Sequence, residues 1–241
     1  IHIRKLHRFV EYRQVFKQLY KQLKEVKPDL IYIGGDIVHG KLDTSPEEVR
    51  MVANFFLSLC KIAPTIIIPG NHDCNLNNKS REDTLSPIID LVKKITPNLH
   101  YWKQSGVYTL DNVDFGVMSI FDIDKEGKQF LDVDERVAYP GSLIQQNYSE
   151  EPSHGFLLWD LEDRKFKATY HQVKNDYGYK ILQVVDGVIQ NKMNFIPPKG
   201  SIKIKNTNTT LEQIKDIQMD VRKKYPKLKD VITERQDNIS I

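Results

Sequence analysis

The chain has 241 residues, 40% of them hydrophobic and 28% charged, with two cysteines and a net charge of +3. That is enough apolar material for one large packed domain plus a smaller appendage. Two cysteines exclude a disulfide framework and fit a reducing compartment. The absence of an 18-residue apolar run excludes a membrane-spanning helix, and so small a net charge neither demands nor excludes a polyanionic partner. The chain begins with Ile1 rather than Met, so a signal peptide is not judged from it.

In chain order, residues 1–3 read as the tail of a strand, with His2 between two isoleucines. Apolar or aromatic residues at 9, 12, 16, 19, 20 and 23 predict a helix over 9–26, with Lys17, Lys21, Lys24 and Lys27 on its solvated side. Residues 30–33 form an apolar strand that ends in Gly34-Gly35-Asp36. Ser45-Pro46-Glu47-Glu48 is a helix start: a capping hydroxyl, a proline at the first helical position, and acids in the first turn. That helix is expected to reach about residue 62, with Cys60 buried in it. A second apolar strand, 65–68, is stopped by Pro69-Gly70 and followed by Asn71-His72-Asp73. The alternation of strand and helix implies a parallel sheet with right-handed crossovers. Open sheets of this kind bind ligands beyond the carboxyl ends of their strands. Asn71 offers a carbonyl oxygen, His72 a ring nitrogen, and Asp36 and Asp73 anionic oxygens, a set suited to a divalent cation. Cys74 would stand at the wall of such a site, beside a polar loop over 75–81.

Further on, Thr84 or Ser86 would cap a helix reaching residue 95. Short strands over 99–102, 107–110 and 113–119, with turns at Gly106 and Asp111-Asn112, suggest a second, more antiparallel sheet. Stretches 155–160, 166–173 and 180–185 read as closing strands. Pro197-Pro198-Lys199-Gly200 is the clearest boundary, with a strand at 201–205 and a helix over 210–224 beyond it. The predicted fold class is α/β, a two-sheet β-sandwich flanked by helices, with a partial α/β capping domain at the C-terminus. The domains would be 1–196 and 197–241.

The order of His2, Gly35-Asp36 and Gly70-Asn71-His72-Asp73 resembles the calcineurin-like metallophosphoesterase superfamily. Within it, Asp36-Ile37-Val38-His39 and Tyr139-Pro140-Gly141-Ser142-Leu143, followed by Gly155-Phe156, resemble the Mre11/SbcD nuclease family. The resemblance covers about residues 1–170 well. It implies two divalent cations, most simply Mn²⁺, held by His2, Asp36 and Asn71, with Asp36 bridging. It assigns His72 and His39 to the phosphate and Asp73 to orienting His72. It further implies DNA as substrate, exo- and endonuclease activity in DNA end processing, repair or recombination, a Rad50/SbcC-type ATPase partner, a homodimer and an intracellular location. The family carries more histidines after the strand at 113–119, and residues 121–136 contain none. The resemblance therefore implies further residues between 119 and 137 than this sequence holds. The alternatives are a phosphatase or cyclic-nucleotide phosphodiesterase on the same fold, or a catalytically degenerate DNA-binding subunit.

Overall fold

The computed structural model describes residues 1–3, 6–40, 43–78, 80–122, 140–162, 165–191 and 196–235. They form two compact units, one of residues 1–140 with 157–170 and the other of residues 141–156 with 171–241.

The first unit is built on three parallel strands in sequential order: β1 (Ile31–Ile33), β2 (Thr65–Ile67) and β3 (Leu99–Tyr101). Ile3 makes a parallel bridge to Val38, just beyond β1, and so lays the start of the chain along the same edge. The intervening helices are α1 (Phe9–Val26), α2 (Pro46–Cys60) and α3 (Ser86–Lys93). This is the strand–helix alternation read from the sequence. All three residues of β2 are buried, which explains its unbroken β-branched run. Ser45 Oγ accepts the Glu48 N–H at 3.2 Å, and Pro46 opens α2. Lys27 ends α1 in a left-handed conformation, its N–H returning to Leu23 O at 2.9 Å. The two helices meet through Phe16 and Phe55, ring centroids 4.3 Å apart.

Two hairpins follow. β4 (Gly106–Leu110) and β5 (Val113–Val117) turn at Asp111-Asn112, both at positive φ, as a two-residue turn matching strand twist requires. β6 (Gly155–Glu162) and β7 (Lys165–Gln172) form the other. Here the structure departs from the predicted sandwich. Among the described residues, each hairpin pairs only with itself, so there are four sheets rather than two. Residues 123–139, between β5 and β6, lie outside the described residues, and with them Tyr139 and most of the stretch where further histidines are expected.

The second unit holds a four-stranded sheet in the order β11 (Asp230–Arg235), β10 (Ser201–Thr207), β8 (Tyr179–Val185), β9 (Val188–Ile189). β10 lies parallel to both of its neighbours, and α4 (Leu211–Lys224) connects it to β11. Leu182, Val184, Ile202, Ile204, Val221 and Leu228 close its core. The boundary expected at Pro197-Pro198 falls inside this unit. β8 before the prolines and β10 after them are paired through seven residues, so the prolines make a turn within one sheet. The apolar face of α4 is also narrower than its sequence suggests. Ile214 and Val221 are buried, whereas Leu211 and Met219 stand in solvent.

Candidate metal centre

Three segments converge at the carboxyl ends of β1 and β2. The loops after these strands pack backbone to backbone, and two glycines make that possible. A Cβ on Gly35, whose φ is +86°, would lie 2.3 Å from Gly70 N, and a Cβ on Gly70 would lie 2.2 Å from Asp36 Oδ1. Only hydrogen fits at either position. The third segment is the start of the chain. His2 N and Ile3 N donate to Asp36 O and Ile37 O at 2.8 Å, and His39 N donates to Ile3 O at 3.0 Å. Tyr12, fully buried in α1, donates its hydroxyl to His2 O at 2.6 Å. The backbones of His2, Asp36 and His39 are therefore held by main-chain hydrogen bonds.

Those side chains meet. His2 Nε2 lies 3.3 Å from Asp36 Oδ2, while Asp36 Oδ1 accepts the His72 N–H at 2.9 Å. Partial burial alone would raise the Asp36 carboxyl. The hydrogen bonds from the His2 side chain and the His72 backbone, with the charges of both histidines, outweigh it and hold the group down to about 2. One ring nitrogen from each of His2, His39 and His72 lies within 4.8 Å of the others. His72 Nδ1 sits 3.3 Å from His39 O. Asn71 is exposed in the same turn and, among the described residues, its side chain has no hydrogen-bond partner. His2 and Asp36 both have left-handed backbones, at φ 55° and 52°. Each such residue costs about 1–3 kcal/mol and persists only where the surroundings impose it, a pattern concentrated at functional sites.

Asp73 does something other than orient His72. It is fully buried. Its Oδ1 accepts from Ile37 N at 2.9 Å and Val38 N at 3.1 Å, and its Oδ2 from Gly70 N at 2.9 Å. It thus ties the loop after β1 to the turn after β2. The His72 ring is positioned instead by its own backbone bond to Asp36 and by His39 O. Burial pushes the Asp73 carboxyl up to about 6, against the pull of those three N–H groups. Cys74 is buried, with its thiol on Gly70 O at 3.2 Å, and so braces the same turn. The 75–81 loop spends part of its polarity on local turns, Asn77 N on Asn75 Oδ1 and Ser80 Oγ on Asn78 Oδ1.

Sequence reasoning missed Asp83. Neither Thr84 nor Ser86 caps α3; the Asp83 side chain does. Its Oδ1 accepts from Leu85 N, Ser86 N and Tyr101 OH at 2.8–3.0 Å. Its Oδ2 takes Ser86 Oγ at 2.6 Å and Lys103 Nζ at 2.7 Å. The next residue, Thr84, donates its N–H to Asp73 O at 2.9 Å, which couples this network to the histidine turn. Asp83 followed by Ser at i+3 was the available signal; the partners on β3 lie too far along the chain to be read.

The donor set fits a divalent cation: three imidazoles, a carboxylate held ionised and an uncommitted amide oxygen. His2, Asp36, Asn71, His72 and His39, the residues singled out from sequence, all lie on these three segments. Among the described residues, no helix is long and apolar enough to cross a membrane.

Two comparisons bear on this arrangement. The family model described as calcineurin-like phosphoesterase matches residues 1–234. An uncharacterized protein, R555, of Acanthamoeba polyphaga mimivirus is 35% identical over 291 residues, covering 93% of this chain. The chain spans about a fifth (21%) of that relative's length.

Proposed function

Because this chain belongs to the calcineurin-like phosphoesterases, a family of metal-dependent phosphoester hydrolases, we propose that it is the nuclease subunit of an Mre11/SbcD-type machine. It would cleave DNA phosphodiesters during end processing, repair or recombination, with a Rad50/SbcC-type ATPase. The observation that carries this reading is the convergence of Asp36, His39 and His72 on one solvent-accessible edge. In this reading His39, three residues after Asp36, would add a second imidazole for the phosphate of an internal diester.

In this reading His2, Asp36 and Asn71 would hold two divalent cations. Such a pair supplies charge neutralisation at the phosphate and a nucleophilic hydroxide at neutral pH. His72 and His39 bind and orient the diester, and His72 delivers a proton to the departing oxygen. Asp73 and the Gly35–Gly70 contact keep the two loops in register. The match to R555 extends over 291 residues, more than this whole chain of 241, so the relative carries inserted sequence within the matched span.

The test is hydrolysis of labelled single- and double-stranded DNA in Mn²⁺, beside bis(p-nitrophenyl) phosphate and p-nitrophenyl phosphate. DNA cleavage is expected. Hydrolysis of the small esters alone would replace the nuclease with a phosphatase or small phosphodiesterase. Stoichiometric metal binding without any hydrolysis, with or without the ATPase partner, would leave a DNA-binding role.

A further inference from the structure

We propose that the cleft between α1 and α2 is a binding site for a small aromatic anion of the nucleoside-phosphate class. It shares no residue with the metal centre, so it does not rest on the nuclease reading.

The cleft follows from the spacing of the two helices. Arg13, Phe16, Lys17 and Tyr20 fall at i, i+3, i+4 and i+7 on one face of α1, and Glu47, Arg50, Asn54 and Ser58 fall at i, i+3, i+7 and i+11 on one face of α2. Phe16 meets Phe55, and the Tyr20 hydroxyl is hydrogen-bonded to the Ser58 side chain, so the helices run side by side in the same direction. Between them lies a hollow of about 380 Å³. That falls in the range of small-molecule sites, roughly 300–1,000 Å³.

Its floor is aromatic. The ring centroids of Phe16, Tyr20 and Phe55 lie within 6.4 Å of one another. Burial pushes the Tyr20 hydroxyl up to about 12, so the floor carries no charge at neutral pH. Its rim is cationic. Arg13, Lys17 and Arg50 stand in solvent around it, and none of them is in an ion pair among the described residues. Among the described residues that line the hollow, Glu47 is the sole acid. Three cations and one acid leave a net charge of +2 over an uncharged floor.

That charge distribution selects the ligand. A guanidinium holds a phosphate through two parallel N–H···O bonds, and Arg13 and Arg50 reach the hollow from opposite walls. A base lays its π-face on aromatic rings. Asn54, exposed one turn beyond Arg50, offers an amide donor and acceptor side by side, the pair that the edge of adenine complements. An inorganic anion would leave the floor unused, and an uncharged ring would leave the cations unused. A nucleoside phosphate engages both, and the volume suits one such molecule rather than a strand or a helix.

The test is calorimetric titration of the 241-residue protein with adenosine 5′-monophosphate in EDTA, which keeps cations out of the metal centre. One site per chain is expected, weakening as salt rises. Arg13→Gln and Arg50→Gln should each lower the affinity about tenfold, as loss of a charged hydrogen-bond partner does. Both should unfold at the parental midpoint, since both side chains are exposed. Adenosine and inorganic phosphate, titrated separately, should each bind about tenfold more weakly or worse. Adenosine binding as well as the nucleotide would show the rim idle, and phosphate binding as well would show the floor idle; either overturns the proposal. So does the absence of nucleotide binding, or unchanged affinity in both variants, which would put the nucleotide elsewhere. Tighter binding of a hexaglutamate peptide would overturn it too, making the cleft a protein-docking face.

Discussion

Both units put parallel strands beside left-handed, non-glycine residues, yet only one of them makes a site. At the strand ends of the second unit, Asp186 and Asn208 have φ of 51° and 48°. There Asn208 Nδ2 donates to Asp186 Oδ1, Gly187 N donates to Thr209 Oγ1 at 3.2 Å, and Asp186 N donates to Thr207 O at 3.2 Å. The polar groups satisfy one another, and the result is a turn. At the strand ends of the first unit the main chain is satisfied in a different way. Asp73 takes three N–H groups, the glycines let two loops touch, and three imidazoles gather with ring nitrogens within 4.8 Å of one another. An unusual backbone therefore does not mark a site by itself. What sets the first unit apart is the gathering of three imidazoles and a carboxylate at one strand edge.

The largest effects should separate the two regions outright. Asp36→Ala should lose both bound Mn²⁺ and hydrolysis if, as proposed, this carboxylate helps to hold the cations. His72→Ala should lower kcat by about 10²–10⁴-fold, the range for a positioned acid or base, with Mn²⁺ content retained. Metal analysis beside kinetics checks this, and equal metal loss in the two variants would contradict the separate roles. Asn208→Ala, at the matching place in the other unit, should change neither readout.

Next in size is Gly70→Ala. The new methyl would have to occupy space 2.2 Å from Asp36 Oδ1 and 2.3 Å from Asp36 N. Forcing the loops apart should cost about 3 kcal/mol and loosen Asp36 as well. Denaturant unfolding and Mn²⁺ titration of the same sample test whether stability and binding fall together. Binding that survived intact would show that the close contact of the loops is dispensable to the site.

Asp83 joins the comparison through pH. Burial would raise its carboxyl, but Lys103, Ser86 and Tyr101 outweigh that and hold it below the usual range. A group depressed in the folded state adds stability that is complete above the ordinary carboxylate pKa and is lost as pH falls through the folded value. Lys103→Met should therefore destabilise by about 3 kcal/mol at neutral pH, with part of the charge exposed at Lys103, and by progressively less in acid. Unfolding midpoints from pH 7 down to about 3 would show the gap closing. A constant gap would mean that packing of the lysine stem, rather than its charge, holds the loop.

The parallel core was legible because its signals are local: a β-branched run at 65–67, Ser45-Pro46 before α2, and helical spacing from Phe9 onward. That His2, Asp36 and His72 come together was readable, because Asp36 and His72 each follow a strand that a glycine ends. The role of Asp73 was not, because its partners Ile37 and Val38 lie 36 and 35 residues away, and main-chain donors leave no mark on sequence. The assignment of one second sheet failed for a related reason. Strand propensity finds β4 to β7, but which strands pair is a long-range matter, and their described pairings are hairpins. Pro197-Pro198 read as a border because proline cannot continue a strand; the sheet simply resumes after the turn.

The smallest effect is the cleanest control on the comparison. Thr210 Oγ1 accepts the Gln213 N–H at 3.2 Å, and Gln213 Oε1 accepts the Thr210 N–H at 2.9 Å, so each end of this capping box satisfies one otherwise orphaned donor of α4. Thr210→Ala removes the acceptor of the Gln213 N–H and leaves that donor unpaired, at about 1 kcal/mol. Thermal unfolding should register that loss, while Mn²⁺ affinity stays at its parental value. Since Thr210 and the histidines belong to different units, a shift in the metal readout would show that the two units communicate energetically, and the contrast between a purely structural sheet end and a chemical one would have to be redrawn as a single coupled system.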